Sequence, residues 1–154
     1  MRRAILAFAL VLAASMAQAQ NRTLVLLSQH TLAAAETYIT DPVRLAPGTK
    51  TLAVLAKFVR AGGGTTAKAY VQTTLDNGST WMDVASLAFA TTTANQLAVV
   101  KTDVAVAAAV VPTDGTMTDD TILDGVLGDR VRVKLVTVGT YSGASHITVT
   151  AVAN

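Results

Sequence analysis

The chain is predicted to be all-β, a single antiparallel β-sandwich or jelly-roll-like domain behind an N-terminal signal-like segment. Three observations predict it. Short runs in which apolar and polar residues alternate recur along the chain, the period expected of half-buried strands. Clusters of Gly, Pro, Asn and Asp separate those runs. Threonine is abundant and aromatic residues make up only 5% of the chain, which suits strands that face solvent on one side. About eight strands result, and a partly closed barrel is the alternative architecture.

Taken in order, the chain opens on Met1-Arg2-Arg3, an uninterrupted apolar run from Ala4 to Ala14, and Ala17-Gln18-Ala19. A positive start, a short apolar stretch and an A-x-A cleavage pattern together read as a secretory leader over residues 1–19. The run is shorter than the roughly 20 residues a helix needs to span a bilayer, so no membrane span is expected. A second reading is open: translation from Met16 would make the leader an upstream extension. The β-sandwich domain then covers residues 20–154. It is periplasmic or secreted under the first reading, and made and kept in the cytoplasm under the second.

Residues 22–28 form the first apolar strand. Ala33 to Glu36 suits a helical turn, and Thr37 to Thr40 a strand that stops at Asp41-Pro42. Pro47-Gly48 marks a turn, after which Lys50 to Arg60 carries Leu52, Val54, Ala56 and Phe58 on one parity. Gly62-Gly63-Gly64 leads into the next strand, where Ala67, Ala69, Val71, Thr73 and Leu75 alternate with polar residues. Asn77-Gly78 accepts the positive φ angles of a type I′ hairpin turn. Beyond it lie Val84, Leu87 and Phe89. Gln96 to Val111, rich in valine and alanine, is read as a strand bounded by turns. Pro112-Thr113-Asp114-Gly115 is a turn, and residues 116–129 an acidic loop with room for a helical turn around Ile122 to Val126. Arg130 to Val138 sets Val131, Val133 and Leu135 against Arg130, Arg132 and Lys134. His146 to Ala153 is the last strand.

Charge excludes one class of function. The chain has 12 Lys and Arg against 10 Asp and Glu. Arg2 and Arg3 belong to the leader, so the body is neutral and lacks the basic footprint of a nucleic-acid binder. Cysteine is absent, which rules out disulfides and thiolate metal sites. Hydrolase machinery finds little material in two histidines, His30 and His146, and one glutamate, Glu36, with no G-x-S-x-G elbow nearby. Gly62-Gly63-Gly64 lacks the Lys-Ser/Thr and helix start of a phosphate loop. Asp114, Asp119, Asp120, Asp124 and Asp129 do not follow the calcium-loop spacing and read as a solvated acidic loop. The expectation is a protein without cofactor, metal or catalytic residues.

Thr74-Leu75-Asp76-Asn77-Gly78-Ser79-Thr80-Trp81 resembles an Asp-box, the S/T-x-D-x-G-x-T-W hairpin of sialidases and other β-proteins. A single box in so short a chain implies a hairpin rather than a sialidase propeller. Asp76 is expected to bind turn amides, and Trp81 to pack over the hairpin.

A wider resemblance rests on several segments together. They are Thr40 to Lys50, Lys57-Phe58 with its Gly-rich bend, Ala69 to Trp81, Pro112 to Thr116, and Asp124 to Lys134. The series is similar to small β-rich structural and accessory proteins of tailed phages and prophages, over most of residues 22–150. The resemblance implies a virion component whose partners are other virion proteins or further copies of itself, without fixing its place on the particle. It carries over no catalytic residue. The candidate contact surface is the hairpin tip Asp76, Asn77, Gly78, Ser79, Thr80 and Trp81 with the loop carboxylates Asp114, Asp119, Asp120 and Asp124. An exported β-sandwich that binds a glycan or a surface partner is the alternative, resting on the leader and the Asp-box.

Overall fold

A computed structural model describes residues 21–106 and 108–154, so the leader expected over residues 1–19 lies outside the described residues. Among the described residues eleven strands form: β1 (Arg22–Thr31), β2 (Thr37–Ile39), β3 (Val43–Arg44), β4 (Thr51–Val59), β5 (Gly62–Gly63), β6 (Thr66–Thr74), β7 (Met82–Phe89), β8 (Ala94–Lys101), β9 (Arg130–Val138), β10 (Tyr141–Ser142) and β11 (His146–Ala153). One antiparallel sheet runs β1-β11-β4-β8 and the other β2-β9-β6-β7, with β3 also on β9. β5 and β10 form a separate two-residue ribbon.

If β2 and β3 count as one strand broken at Pro42, and the ribbon is set aside, eight strands remain. Their order is 1-8-3-6 in one sheet and 2-7-4-5 in the other, the connectivity of a jelly roll. The sheets face each other as a β-sandwich and do not close into a barrel. Among the described residues there is no helix, and none long and apolar enough to cross a membrane.

Strand parity builds the core. Leu52, Val54, Ala56 and Phe58 of β4, Ile147, Val149 and Ala151 of β11, and Val131, Val133 and Leu135 of β9 are buried between the sheets. Phe58 sits at the centre with its ring centroid 5.4 Å from Phe89 and 6.3 Å from Tyr141. The Tyr141 hydroxyl, carried into this apolar layer, donates to the Thr66 carbonyl at 2.6 Å, which removes the cost of an unpaired buried hydroxyl.

Several expectations are corrected. Ala33 to Glu36 is a bend, because its backbone is bonded elsewhere: Tyr141 N–H donates to Ala33 O, and Thr137 Oγ1 donates to Ala34 O and accepts from Glu36 N–H. The strand expected to reach Val111 stops at Lys101, opposite Thr51, the first residue of its partner β4. One further bond, from Thr102 N–H to Lys50 O, follows; beyond it the described residues up to Val111 have no ladder partner, and Val104, Val106, Val110 and Val111 are exposed. Leu75 likewise falls outside the ladder and is exposed rather than buried. Ile122 to Val126 is not a helical turn, since Leu123 N–H donates to Val84 O and Gly125 N–H to Lys101 O. Asn77 and Gly78 take positive φ, 61° and 100°, but the β6–β7 ladder ends at Thr73↔Met82, so the loop is longer than a two-residue turn.

The largest departure concerns residues 112–129. Rather than a solvated loop, they form a strap along the free edge of β7 and over the outer face of its sheet. Asp83 N–H donates to Thr113 O, Ser86 N–H to Thr121 O, and Ala85 bridges to Ile122. Gly128 passes so close to β6 that an added Cβ would collide with the Thr74 carbonyl. The strap explains why Tyr70, Gln72 and Thr74, on the outer parity of β6, are buried.

Candidate functional site

The hairpin tip is built by its own side chains. Thr74 Oγ1 accepts the Gly78 N–H at 2.9 Å and donates to Asp76 Oδ1 at 2.8 Å. Asp76 Oδ1 also accepts the Thr80 N–H at 2.7 Å, and Trp81 Nε1 donates to the Gly78 carbonyl at 3.1 Å. Bonds from Thr80 and Thr74 to its charged form hold the Asp76 carboxyl down, from an ordinary 3.8 to about 2. Asp76 serves as a structural acceptor and Trp81 folds back over Gly78, as the sequence predicts. Asn77, Ser79 and Thr80 are exposed at the tip.

Beneath the tip lies a polar network that joins the hairpin to the strap. The Arg132 guanidinium stands 4.1 Å from the Trp81 ring centroid, a cation–π distance, and its Nε donates to Gln72 Oε1 at 2.8 Å. Gln72 Nε2 reaches Asp83 Oδ1 and Asp114 Oδ1, each at 2.8 Å. Asp114 also accepts from Lys134 Nζ at 2.9 Å. Bonds from Gln72 and Lys134 hold the Asp114 carboxyl below its usual range, while burial pulls the Arg132 guanidinium down and the nearby carboxylates oppose that shift.

Asp83 anchors the strap. The residue is 1% exposed, and its carboxylate accepts the N–H groups of Gly115 (2.8 Å), Thr116 (3.2 Å) and Met117 (3.2 Å). This is a backbone nest around an internal anion.

The other strap carboxylates are each committed to a different neighbour. Asp119 pairs with Lys68 at 2.7 Å, and that bond raises the Lys68 ammonium above its ordinary value. Asp120 accepts the Ala88 N–H at 2.9 Å and Asp124 the Lys101 N–H at 2.7 Å. The structure therefore brings Asp76 to Trp81 together with Asp114, and sets the others apart, Asp119 on Lys68 of β6, Asp120 at the β7 edge and Asp124 at the β8 edge. Among the described residues no group of three or more His, Asp or Glu is placed to hold a metal ion. His30 bonds Glu36 at 2.9 Å and stacks on Tyr38, with ring centroids 4.3 Å apart. His146 Nδ1 lies 2.8 Å from the Ala144 carbonyl. A depression of about 620 Å³ lies between residues 44–49 and 127–129, with Arg44 and Asp129 its charged residues.

Gln72, Asp83, Arg132 and Lys134 are the network members that the sequence did not single out. Strict alternation from Phe89 back through Leu87 and Ala85 would point Asp83 into the core. A bulge between the Val71 and Gln72 pairings carries it to the outer face, and a bulge has no sequence marker at this site. Gln72 and Arg132 are on the outer parity, so alternation does find their face.

No known protein family, curated protein or solved structure matches the chain.

Proposed function

We propose that this chain is a non-enzymatic structural or accessory protein of a tailed-phage or prophage particle, acting by protein–protein assembly. One observation carries the reading: the carboxylates of the candidate surface, together with the buried Asp83 beneath it, are spent on the scaffold itself. Asp76, Asp83, Asp114, Asp119, Asp120 and Asp124 all accept hydrogen bonds from within the chain. A site built to bind or turn over a small molecule keeps some convergent polar groups free for it. Here they lock a strap onto a jelly roll and stiffen a hairpin, which suits a part whose task is to hold shape against its neighbours. The contact surfaces are the exposed tip, where Leu75 lies two-thirds exposed beside Asp76 to Thr80, and the outer side of the strap. The resemblance in the segments from Thr40 to Lys134 supplies the particle.

Particles banded by density from the source culture test the reading by mass spectrometry. The expected result is this chain in fixed ratio to the other particle proteins, with an N-terminal peptide at Met16 or Ala17. Recovery only from the periplasm or medium, starting at Gln20, would overturn it in favour of an exported binder.

A further inference from the structure

Every sheet edge must be covered, distorted or paired, because an open edge presents unpaired N–H and C=O groups to any other strand. Three of the four edges in this sandwich are protected. β7 is covered by the strap at Asp83, Ser86 and Val84. β1 is interrupted twice by register shifts against β11, between Val25 and Leu27 and between Leu27 and His30. The β2–β3 edge is three residues and two residues long and broken at Pro42.

β8 has none of these devices along its body. It pairs with β4 over Ala94–Lys101 without a register shift and carries no charge and no proline before Lys101. The strap touches its edge at the end only, where Asp124 accepts the Lys101 N–H and Gly125 donates to the Lys101 carbonyl. Those bonds fix the phase of the strand. Lys101 points its backbone away from β4, and in an antiparallel ladder every second residue does the same. Asn95, Leu97 and Val99 therefore present N–H and C=O outward, and among the described residues no backbone bond to them crosses that edge. Leu97 is 66% exposed, next to Leu55 across the ladder. Ile122, also exposed, lines the same side of the molecule, against a groove of about 200 Å³ shared with Leu97 and Ala98.

We infer that the β8 edge is a homodimer interface, in which two copies join edge to edge about a two-fold axis at Leu97 and their β1-β11-β4-β8 sheets become one. A second copy fits because the edge is complementary to itself. With Leu97 opposite Leu97 of the second copy, Asn95 faces Val99 and Gln96 faces Ala98. The strap already occupies the edge at Lys101, so the shared ladder is confined to residues 95–99, where no side chain is charged and no like charges meet. Each outward-facing residue finds both of its missing bonds, and the two Leu97 side chains pack on the exposed face as a cross-strand pair. The inference stands on the edge geometry and does not depend on the particle assignment.

Two variants and one exchange measurement test it on the full chain. Leu97→Pro removes an N–H that bonds nothing inside the chain, so the β4–β8 ladder survives, as it does for proline on edge strands generally. Leu97→Lys adds charge at the axis and leaves the backbone intact. The wild type is expected to sediment as two copies, and both variants as one, with unchanged circular dichroism. Amide exchange at Asn95, Leu97 and Val99 should be slow in the wild type and fast in Leu97→Lys. A wild-type monomer with fast exchange at those amides overturns the inference, as does a Leu97→Lys variant that remains a dimer. A complex in which another protein takes the place of the second copy overturns it in favour of a foreign strand.

Discussion

Asp76 stabilises the hairpin tip only while it is ionised, because its bonds from Thr80 N–H and Thr74 Oγ1 favour the charged form. Its folded value, about 2, lies below the ordinary 3.8. Its contribution is therefore fully present above pH 3.8 and is lost as the pH falls through about 2. The measurement is a pair of thermal melts against pH for wild type and Asp76→Ala. The wild type should melt higher at pH 7, and the gap should close between pH 4 and pH 2. A gap that stays constant over that range would show that the carboxylate's charge is irrelevant to the tip. The motif in Thr74 to Trp81 makes this residue's role legible from sequence, since all of its partners lie within the same eight-residue window.

At the scale of elements, the strap is the feature that sequence reading mistook for solvated loop. Its residues carry the composition of a loop, and only their positions against β7 show that they finish a sheet. Asp83 holds the strap's first turn by accepting three backbone N–H groups and the Gln72 amide. Asp83→Ala removes the acceptor of three strap N–H groups and one of the two acceptors of the buried Gln72 amide, and is expected to cost about 3 kcal/mol. In a domain of this size that corresponds to a fall in Tm of roughly 10 °C. Exchange of the Gly115, Thr116 and Met117 amides should accelerate more than exchange in β4 or β11. Uniform acceleration throughout the chain would mean that the strap is not a separately anchored element.

The whole molecule is held by pairings between residues far apart in the chain, of which Arg22↔Ala153 is the extreme. The two sheets meet over one core, and Phe58, fully buried between Phe89 and Tyr141, ties β4 to both β7 and the β9–β11 connection. Phe58→Ala is expected to cost about 3–5 kcal/mol through lost burial and the cavity left behind. Against a total stability of about 5–15 kcal/mol, that brings the chain close to unfolding. Urea melts check it through a lower midpoint, with the slope unchanged if the unfolded state is not altered. A loss under 1 kcal/mol would mean that the sheets close over the gap.

The sequence by itself determined the all-β class, most strand positions, the core faces of β4, β9 and β11, and the local bonding of the tip from Thr74 to Trp81. Each of these depends on period-2 alternation or on contacts within a few residues, which a linear pattern records. Only the tertiary structure decided where β8 ends, since that depends on where its partner β4 begins. It decided that Asp83 turns outward, because a bulge resets the parity of its strand. It decided also that residues 112–129 cover the β7 edge while most of the β8 edge stays open. Edges belong to a sheet and not to a segment: which strand lies outermost is settled by the order in which distant strands pair.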